Sequence, residues 1–269
     1  MNNNPYSQNP NDYGDFSSQN SSDYLNAVNN YQAGASAGFE GLSYTNSYQK
    51  ANTALAQTVI RNSFLFMIVA LLITAYGAFS ATNTFIYWLA SGSNFNIILI
   101  SEIAIVLISN WAIRKNNAIL AGILYVVYSY LTGAVFSIIL LAYTGSSIVS
   151  IFLITASLFA VMAVYGTVTK ADLSSVGSIC LMGLIGIIIT SLVNMFLLHN
   201  STVDTVICGI GVLIFVLLTA YDTQKIKRNA KYATNENALT LALCGAFELY
   251  LDFINIFLKL LRLFGSSRD

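Results

Sequence analysis

A polar stripe runs through the last apolar stretch of the chain, residues 239–264. Its members recur at intervals of four, three, four and three residues: Glu248, Asp252, Asn255, Lys259 and Arg262. On an α-helix this spacing places the side chains along one face. A charged side chain in hydrocarbon is costly, so it normally faces a bundle interior or a water-filled path. The stripe therefore predicts a central helix enclosed by others.

Asp222 is expected to be the chemical partner of this stripe, because it ends the preceding apolar run in TAYDTQKIK. Two carboxyl groups in a low-dielectric site cannot both ionise cheaply, so Asp222 and Asp252 should titrate as a unit if they meet. Such a pair would share a proton in acid and attract a cation in base. Calcium takes several oxygen ligands, and Glu248, one turn before Asp252, could add a third carboxylate.

Ordinary ion pairs are the alternative for both aspartates. Asp222 could pair with Lys225, one turn further along, and Asp252 could pair with Lys259. In that case each acid would be structural, and no proton-sensitive site would exist.

Three more polar residues could support a carboxyl pair. Glu102 lies within the second apolar stretch, and Arg114 at its end could reach Asp222 and hold a closed state. Asn255 lies on the stripe beside Asp252. We expect these residues to act as a latch or as support.

The composition requires a membrane environment for this set of residues. Of the 269 residues, 56% are hydrophobic and 9% are charged, whereas a soluble domain carries about a quarter charged residues. The formal net charge of zero and the absence of a basic, aromatic-rich stretch argue against nucleic acid as a partner. The three cysteines lie singly, which predicts neither disulfides nor a zinc site, and no tightly bound cofactor is expected.

Seven apolar stretches meet the length of about 20 residues that a membrane crossing needs. Since lipid leaves only helices or closed barrels as spanning structures, the sequence predicts an all-α, seven-helix integral membrane bundle with the seventh helix at its centre. The predicted spans are 62–82, 95–113, 118–142, 148–168, 176–198, 203–221 and 239–264.

The chain divides into a polar tail, residues 1–49, and a membrane domain, residues 50–269. The tail is rich in Asn, Ser, Tyr and Gln, and we expect it to be disordered. Lys and Arg occur in alternate connections, which predicts a cytoplasmic N-terminus, a cytoplasmic 222–238 loop and an external C-terminus. The basic residues Lys259, Arg262 and Arg268 suggest an alternative, in which span seven re-enters and both of its ends lie inside.

The stretches LYLDFINIFLKLLRLFG (249–265), AYDTQKIK (220–227) and VTKADLSSVGSICLMGLIG (168–186) resemble the Bax inhibitor family. VIRNSF (59–64) and SSRD (266–269) resemble its bacterial members. The resemblance implies a seven-helix fold with a central seventh helix in a bacterial inner membrane. It also implies a pH-sensitive calcium leak channel gated by two aspartates, which fall on Asp222 and Asp252. Calcium would then be a permeant ion.

Two positions depart from the family pattern. The latching arginine of the family falls on Ile113, one residue before Arg114, and Glu248 stands where a small or neutral residue is expected. Some bacterial relatives have lost one or both aspartates and are associated with restraining a membrane-anchored ATP-dependent protease. The resemblance therefore also implies an alternative function, a regulatory membrane protein with a protease partner.

Paired aspartates in adjacent helices are also typical of intramembrane aspartyl proteases. Asp252, however, follows Leu251 in LYLD, and the chain contains neither Gly-x-Gly-Asp nor Pro-Ala-Leu. P-loop, HExxH, GxSxG and GxGxxG motifs are absent as well. The sequence therefore predicts a protein that is not an enzyme, and it leaves the oligomeric state open.

Overall fold

The structure is a computed structural model that describes residues 52–82 and 92–268. Seven α-helices occupy these ranges: α1 (Asn52–Thr82), α2 (Gly92–Arg114), α3 (Ala118–Leu141), α4 (Gly145–Val168), α5 (Ser174–Val193), α6 (Ser201–Ala230) and α7 (Ala238–Phe264). A single π-type turn, Asn194–Leu198, extends α5. The prediction of an all-α chain is confirmed over these residues. Helices satisfy their backbone hydrogen bonds internally, as a lipid environment demands.

Six of the seven helices are long and apolar enough to cross a membrane, namely α1 and α3 to α7. The 23-residue helix α2 is not among the six. The prediction of several membrane-spanning helices is therefore confirmed, whereas a count of seven crossings stays a prediction. The predicted disordered tail, residues 1–49, lies outside the described residues.

Two helices extend beyond the predicted spans. Helix α1 begins at Asn52 instead of residue 62, and α6 continues to Ala230 instead of ending at residue 221. Asp222 therefore lies more than two turns inside α6, and the predicted 222–238 loop shortens to residues 231–237. The predicted end of this helix was wrong, because apolar content indicates which residues can lie in the membrane and not where a helix ends. The polar segment after Asp222 continues the helix.

Helix α7 is the most buried of the six candidate spans. In its most apolar stretch 67% of the residues are buried, against 17% to 44% in the other five. Aromatic rings hold it against its neighbours: Phe247 packs on Tyr125 of α3 at 5.5 Å between ring centroids, and Phe253 packs on Phe159 of α4 at 5.6 Å. Tyr250 is completely buried. The position of α7 at the centre of seven crossing helices stays a prediction.

The two ends of α7 lie at opposite ends of α3. Before α7, the side-chain amide of Asn116 donates to the carbonyl oxygen of Glu236 at 3.3 Å. After α7, the carbonyl oxygen of Ser266 accepts from the backbone N–H of Thr144 at 3.1 Å. Because Asn116 precedes α3 and Thr144 follows it, α7 runs the full length of α3. This arrangement favours the full crossing over the re-entrant alternative.

Helices α1 and α3 approach each other at two facing glycines, Gly77 and Gly133. A Cβ atom at Gly133 would overlap the carbonyl oxygen of Thr74 and lie 3.0 Å from the backbone nitrogen of Ala78. Small residues allow backbones to pack this closely in lipid, where helix association depends on van der Waals contact.

We expect Gly133→Ala to destabilise the protein by about 1–3 kcal/mol, because backbone atoms cannot move aside as a flexible side chain can. Gly186→Ala is the matched control, since a Cβ atom there has no neighbour within 4 Å. Helix propensity should make the control neutral or slightly stabilising. Thermal unfolding of the detergent-solubilised variants measures both effects, and equal midpoints would contradict the close approach of α1 and α3.

Candidate functional site

A cavity of about 630 Å³ lies between α5, α6 and α7. Its wall on the α5 side is largely apolar and includes Leu181, Leu184 and Ile188. The opposite side carries polar side chains at one-turn intervals, which come from α6 (Asp222 and Lys225) and from α7 (Glu248, Asp252, Asn255 and Lys259). The polar stripe thus faces the cavity from α7, while the aromatic face of α7 packs against α3 and α4.

The carboxyl groups of Asp222 and Asp252 lie within hydrogen-bonding reach of each other. Asp252 is only 4% exposed, and its Oδ2 atom is buried without a hydrogen-bond partner among the described residues. Two carboxylates can only accept hydrogen bonds, and they repel each other. A contact between them therefore requires a shared proton, which makes the two groups one titrating unit.

Glu248 is engaged by a neighbouring lysine. The Nζ atom of Lys225 forms an ion pair with Oε1 of Glu248 at 2.5 Å, and the two side chains are 31% and 24% exposed. Each partner lies one turn from an aspartate of the pair. Glu248 is therefore paired in this state, and the described residues contain no group of three or more His, Cys, Asp or Glu side chains that could hold a metal ion.

Neither ordinary ion pair considered as an alternative for the aspartates is formed. Lys225 pairs across the helices with Glu248, and it acts on Asp222 through its charge without forming an ion pair with it among the described residues. Asp252 and Lys259 do not pair with each other among the described residues.

An ion pair also lies at the far end of the stripe. The Nε atom of Arg262 donates to Oδ2 of Asp204, in the first turn of α6, at 3.1 Å. Sequence reasoning missed Asp204, although a signal was present. Asp204 precedes Asp222 by 18 residues, or five helical turns, so both lie on the same face of α6.

The three residues that the sequence suggested as support for the aspartates do not lie together in the structure. Asn255 lines the cavity, and its amide donates to the carbonyl oxygen of Leu251 at 2.8 Å. Glu102 instead faces Thr132 of α3, with its Oε1 atom buried and without a hydrogen-bond partner in the described ranges. Arg114 is exposed and forms none of the ion pairs found in the described part of the chain. The structure therefore does not bring Arg114 to the aspartates.

Gln224 fixes α6 against the connection between α4 and α5, two residues after Asp222. Its side-chain oxygen accepts from the backbone N–H of Leu173 at 2.9 Å, and its amide donates to the carbonyl oxygen of Ala171 at 2.7 Å. In the same connection, hydrogen bonds from the hydroxyl and the N–H of Ser174 lower the pKa of Asp172. This connection therefore holds the aspartate-bearing part of α6 in place.

These features define an α-helical membrane protein with several spanning helices and two aspartates, one buried and one half-buried, that line a cavity in its bundle. The chain belongs to the Bax inhibitor family, because the family profile described as "Inhibitor of apoptosis-promoting Bax1" matches residues 56–269. The suspected resemblance is thereby confirmed.

The relatives are bacterial proteins of similar length. The chain is 41% identical over 218 residues to the inner membrane protein YbhL of Escherichia coli K12, covering 79% of this chain and 93% of YbhL. It is 42% identical over 207 residues to the uncharacterised protein RP147 of Rickettsia prowazekii, covering 76% and 87%. An uncharacterised protein of Borreliella burgdorferi is 40% identical over 223 residues, covering 79% and 96%.

The pairing of Lys225 with Glu248 generates a prediction about stability. Lys225→Met and Glu248→Gln should each lower the thermal midpoint, because each leaves a half-buried charge without its partner. The double variant should lose less than the sum of the single losses, with a coupling of about 1 kcal/mol, since partial exposure weakens the pair. Lys231→Met, at an exposed position, is the control. Strictly additive losses would show that the two side chains do not interact in solution.

Proposed function

We propose that this protein is a pH-sensitive calcium leak channel gated by the Asp222–Asp252 pair. The observation that carries this proposal is the contact of two carboxyl groups in a cavity between helices of a membrane bundle. A purely structural role would not account for such a contact, since two carboxyl groups that meet at a buried position repel each other unless they share a proton. The pair is the pH sensor and the cation ligand, and calcium is the permeant ion.

A single proton between the aspartates sets the state of the channel. In acid the shared proton joins α6 to α7 and leaves one negative charge in the cavity. Loss of that proton leaves two carboxylates that repel at contact, so they separate or take a divalent cation between them. Calcium binding to the pair therefore increases as the pH rises, because protons and calcium compete for the same oxygen atoms.

Other groups around the pair modify this equilibrium. The titratable groups that face it from the packed helices are Cys180 of α5, Lys225 of α6, and Cys244 and Glu248 of α7. Lys225 is the cation among them, and it holds Glu248 while the aspartates share a proton. We infer that Lys225 has the latching role for which the sequence suggested Arg114.

Replacing one aspartate tests the mechanism. In proteoliposomes, calcium flux through the wild type should change between about pH 6 and 8, where two interacting buried carboxyl groups exchange a proton. Asp252→Asn and Asp222→Asn should reduce the flux about tenfold or more and abolish its pH response, because an amide neither shares the proton nor carries the charge. Asp172→Asn, in the exposed α4–α5 connection, is the matched control. If Asp252→Asn leaves the flux and its pH response unchanged, the mechanism is wrong.

A regulatory protein that binds and restrains a membrane-anchored ATP-dependent protease remains the second candidate, without a catalytic role of its own. Deletion of residues 1–49 separates the two functions. A channel within the helical bundle should keep its calcium flux without that segment, whereas a regulator that docks through it should lose partner capture. Loss of flux in the truncated protein, with the fold intact by thermal unfolding, would count against the channel.

A further inference from the structure

A separate polar cavity of about 340 Å³ lies between the α4–α5 connection and the end of α6. Four exposed basic side chains line it, one from the connection and three from the end of α6: Lys170, Lys227, Arg228 and Lys231. The lining residues also include one acid, Asp172. The cavity therefore carries an excess of positive charge.

Two of the four cations are held in place by contacts with the protein. The Nζ atom of Lys227 donates to the carbonyl oxygen of Thr167, in the last turn of α4, at 2.6 Å. The Nη1 atom of Arg228 donates to Oγ of Ser174 at 3.0 Å and lies 3.9 Å from Oδ1 of Asp172. Since an ammonium group has three N–H donors and a guanidinium group has five, both side chains keep donors for a ligand.

The other two cations, Lys170 and Lys231, form none of the ion pairs found in the described part of the chain. The preference of Lys and Arg for one side of a membrane explains why basic residues occur at this end of the bundle. It does not explain why four of them surround one cavity. Arg114 and Lys115 lie at the same end, beside the start of α7, and are not among the residues that line it.

The surface next to this cavity is apolar. Val168, the last residue of α4, is 71% exposed, and Val164 and Tyr165, one turn earlier, are exposed as well. Helix α4 is one of the candidate membrane spans, so side chains on this surface are suited to contact acyl chains. A phospholipid fits both features, because its acyl chains can lie along α4 while its phosphate enters the basic cavity. A free anion would use the basic part alone.

We propose that this cavity binds the headgroup of an anionic phospholipid whose acyl chains lie along α4. The inference does not depend on the proposed channel function. Basic pockets between membrane helices are typical binding sites for such headgroups. A zwitterionic headgroup fits less well, since its own cation is repelled by the excess positive charge.

A bound headgroup would bridge the α4–α5 connection and the end of α6. Gln224 also lines the cavity, and its two hydrogen bonds already join these segments. The lipid would therefore strengthen a contact that lies two residues after Asp222. Because it binds the folded chain, it should raise the thermal stability of the protein.

Lipid binding to the detergent-solubilised full chain tests this proposal. In zwitterionic micelles, phosphatidylglycerol should bind about tenfold more tightly than phosphatidylcholine and raise the thermal midpoint, because each Lys or Arg near an anionic lipid contributes about a fivefold factor. The double variant Lys170→Gln/Lys231→Gln should weaken phosphatidylglycerol binding about tenfold or more for the same reason. Native mass spectrometry measures the bound lipid. Lys170→Gln alone should weaken binding about fivefold, which keeps the test possible if the double variant does not fold.

Two matched variants separate charge at the cavity from other causes. Lys170→Arg/Lys231→Arg keeps both charges and should keep the wild-type affinity. Arg114→Gln/Lys115→Gln removes two cations from the same end of the bundle but outside the cavity, and it should leave binding unchanged.

Three results would overturn the proposal. The first is equal binding of the two lipids by the wild type, and the second is an equal loss of phosphatidylglycerol binding in the glutamine variants at both places. The third is a rise in thermal midpoint with inorganic phosphate as large as that with phosphatidylglycerol at the same concentration, since a free anion would then be the ligand. None of these results bears on calcium flux, so the channel proposal stands or fails separately.

Discussion

The contact between two carboxyl groups, one buried and the other half-buried, is the constraint on which the arrangement of α5, α6 and α7 depends. Asp252 is buried, and Asp222 reaches it from the facing helix. Such a contact persists only if the surrounding structure holds both helices in place, since the two groups repel when both are charged. The contacts of Gln224 with the α4–α5 connection do this for α6. On α7, the packing of aromatic rings against α3 and α4 does the same.

Helix α7 therefore has two different faces: one packs against α3 and α4, and the other lines the cavity. Phe247 and Phe253 lie on a face that packs ring against ring, which fixes the rotation of the helix about its axis. That rotation directs Asp252 and Asn255 into the cavity beside α6. In lipid there is little hydrophobic gain from bringing helices together, so shape and polar contacts must determine which face meets which neighbour. The aromatic face supplies the shape, and the aspartate pair supplies the polar contact.

The periodicity of the sequence was sufficient to predict the polar face of α7, because residues three and four apart share a helix face. That Asp222 could meet this face was a hypothesis from its place at the end of the preceding apolar run. It could not predict that Lys225 would pair with Glu248 on another helix, since spacing within one helix carries no information about contacts between helices. The exposed position of Arg114 could not be predicted for the same reason, because the distance of Arg114 from Asp222 depends on the packing of α2. Hydropathy likewise could not show that α6 continues in polar sequence beyond the apolar run.

In the mechanism proposed above, the pairing of the outer charges leaves the aspartates as the groups whose charge a proton changes. Lys225 neutralises Glu248 beside the pair, and Arg262 neutralises Asp204 at the far end of the stripe. Gain or loss of one proton then changes the charge of the pair itself, in surroundings where a unit charge interacts more strongly than it does in water.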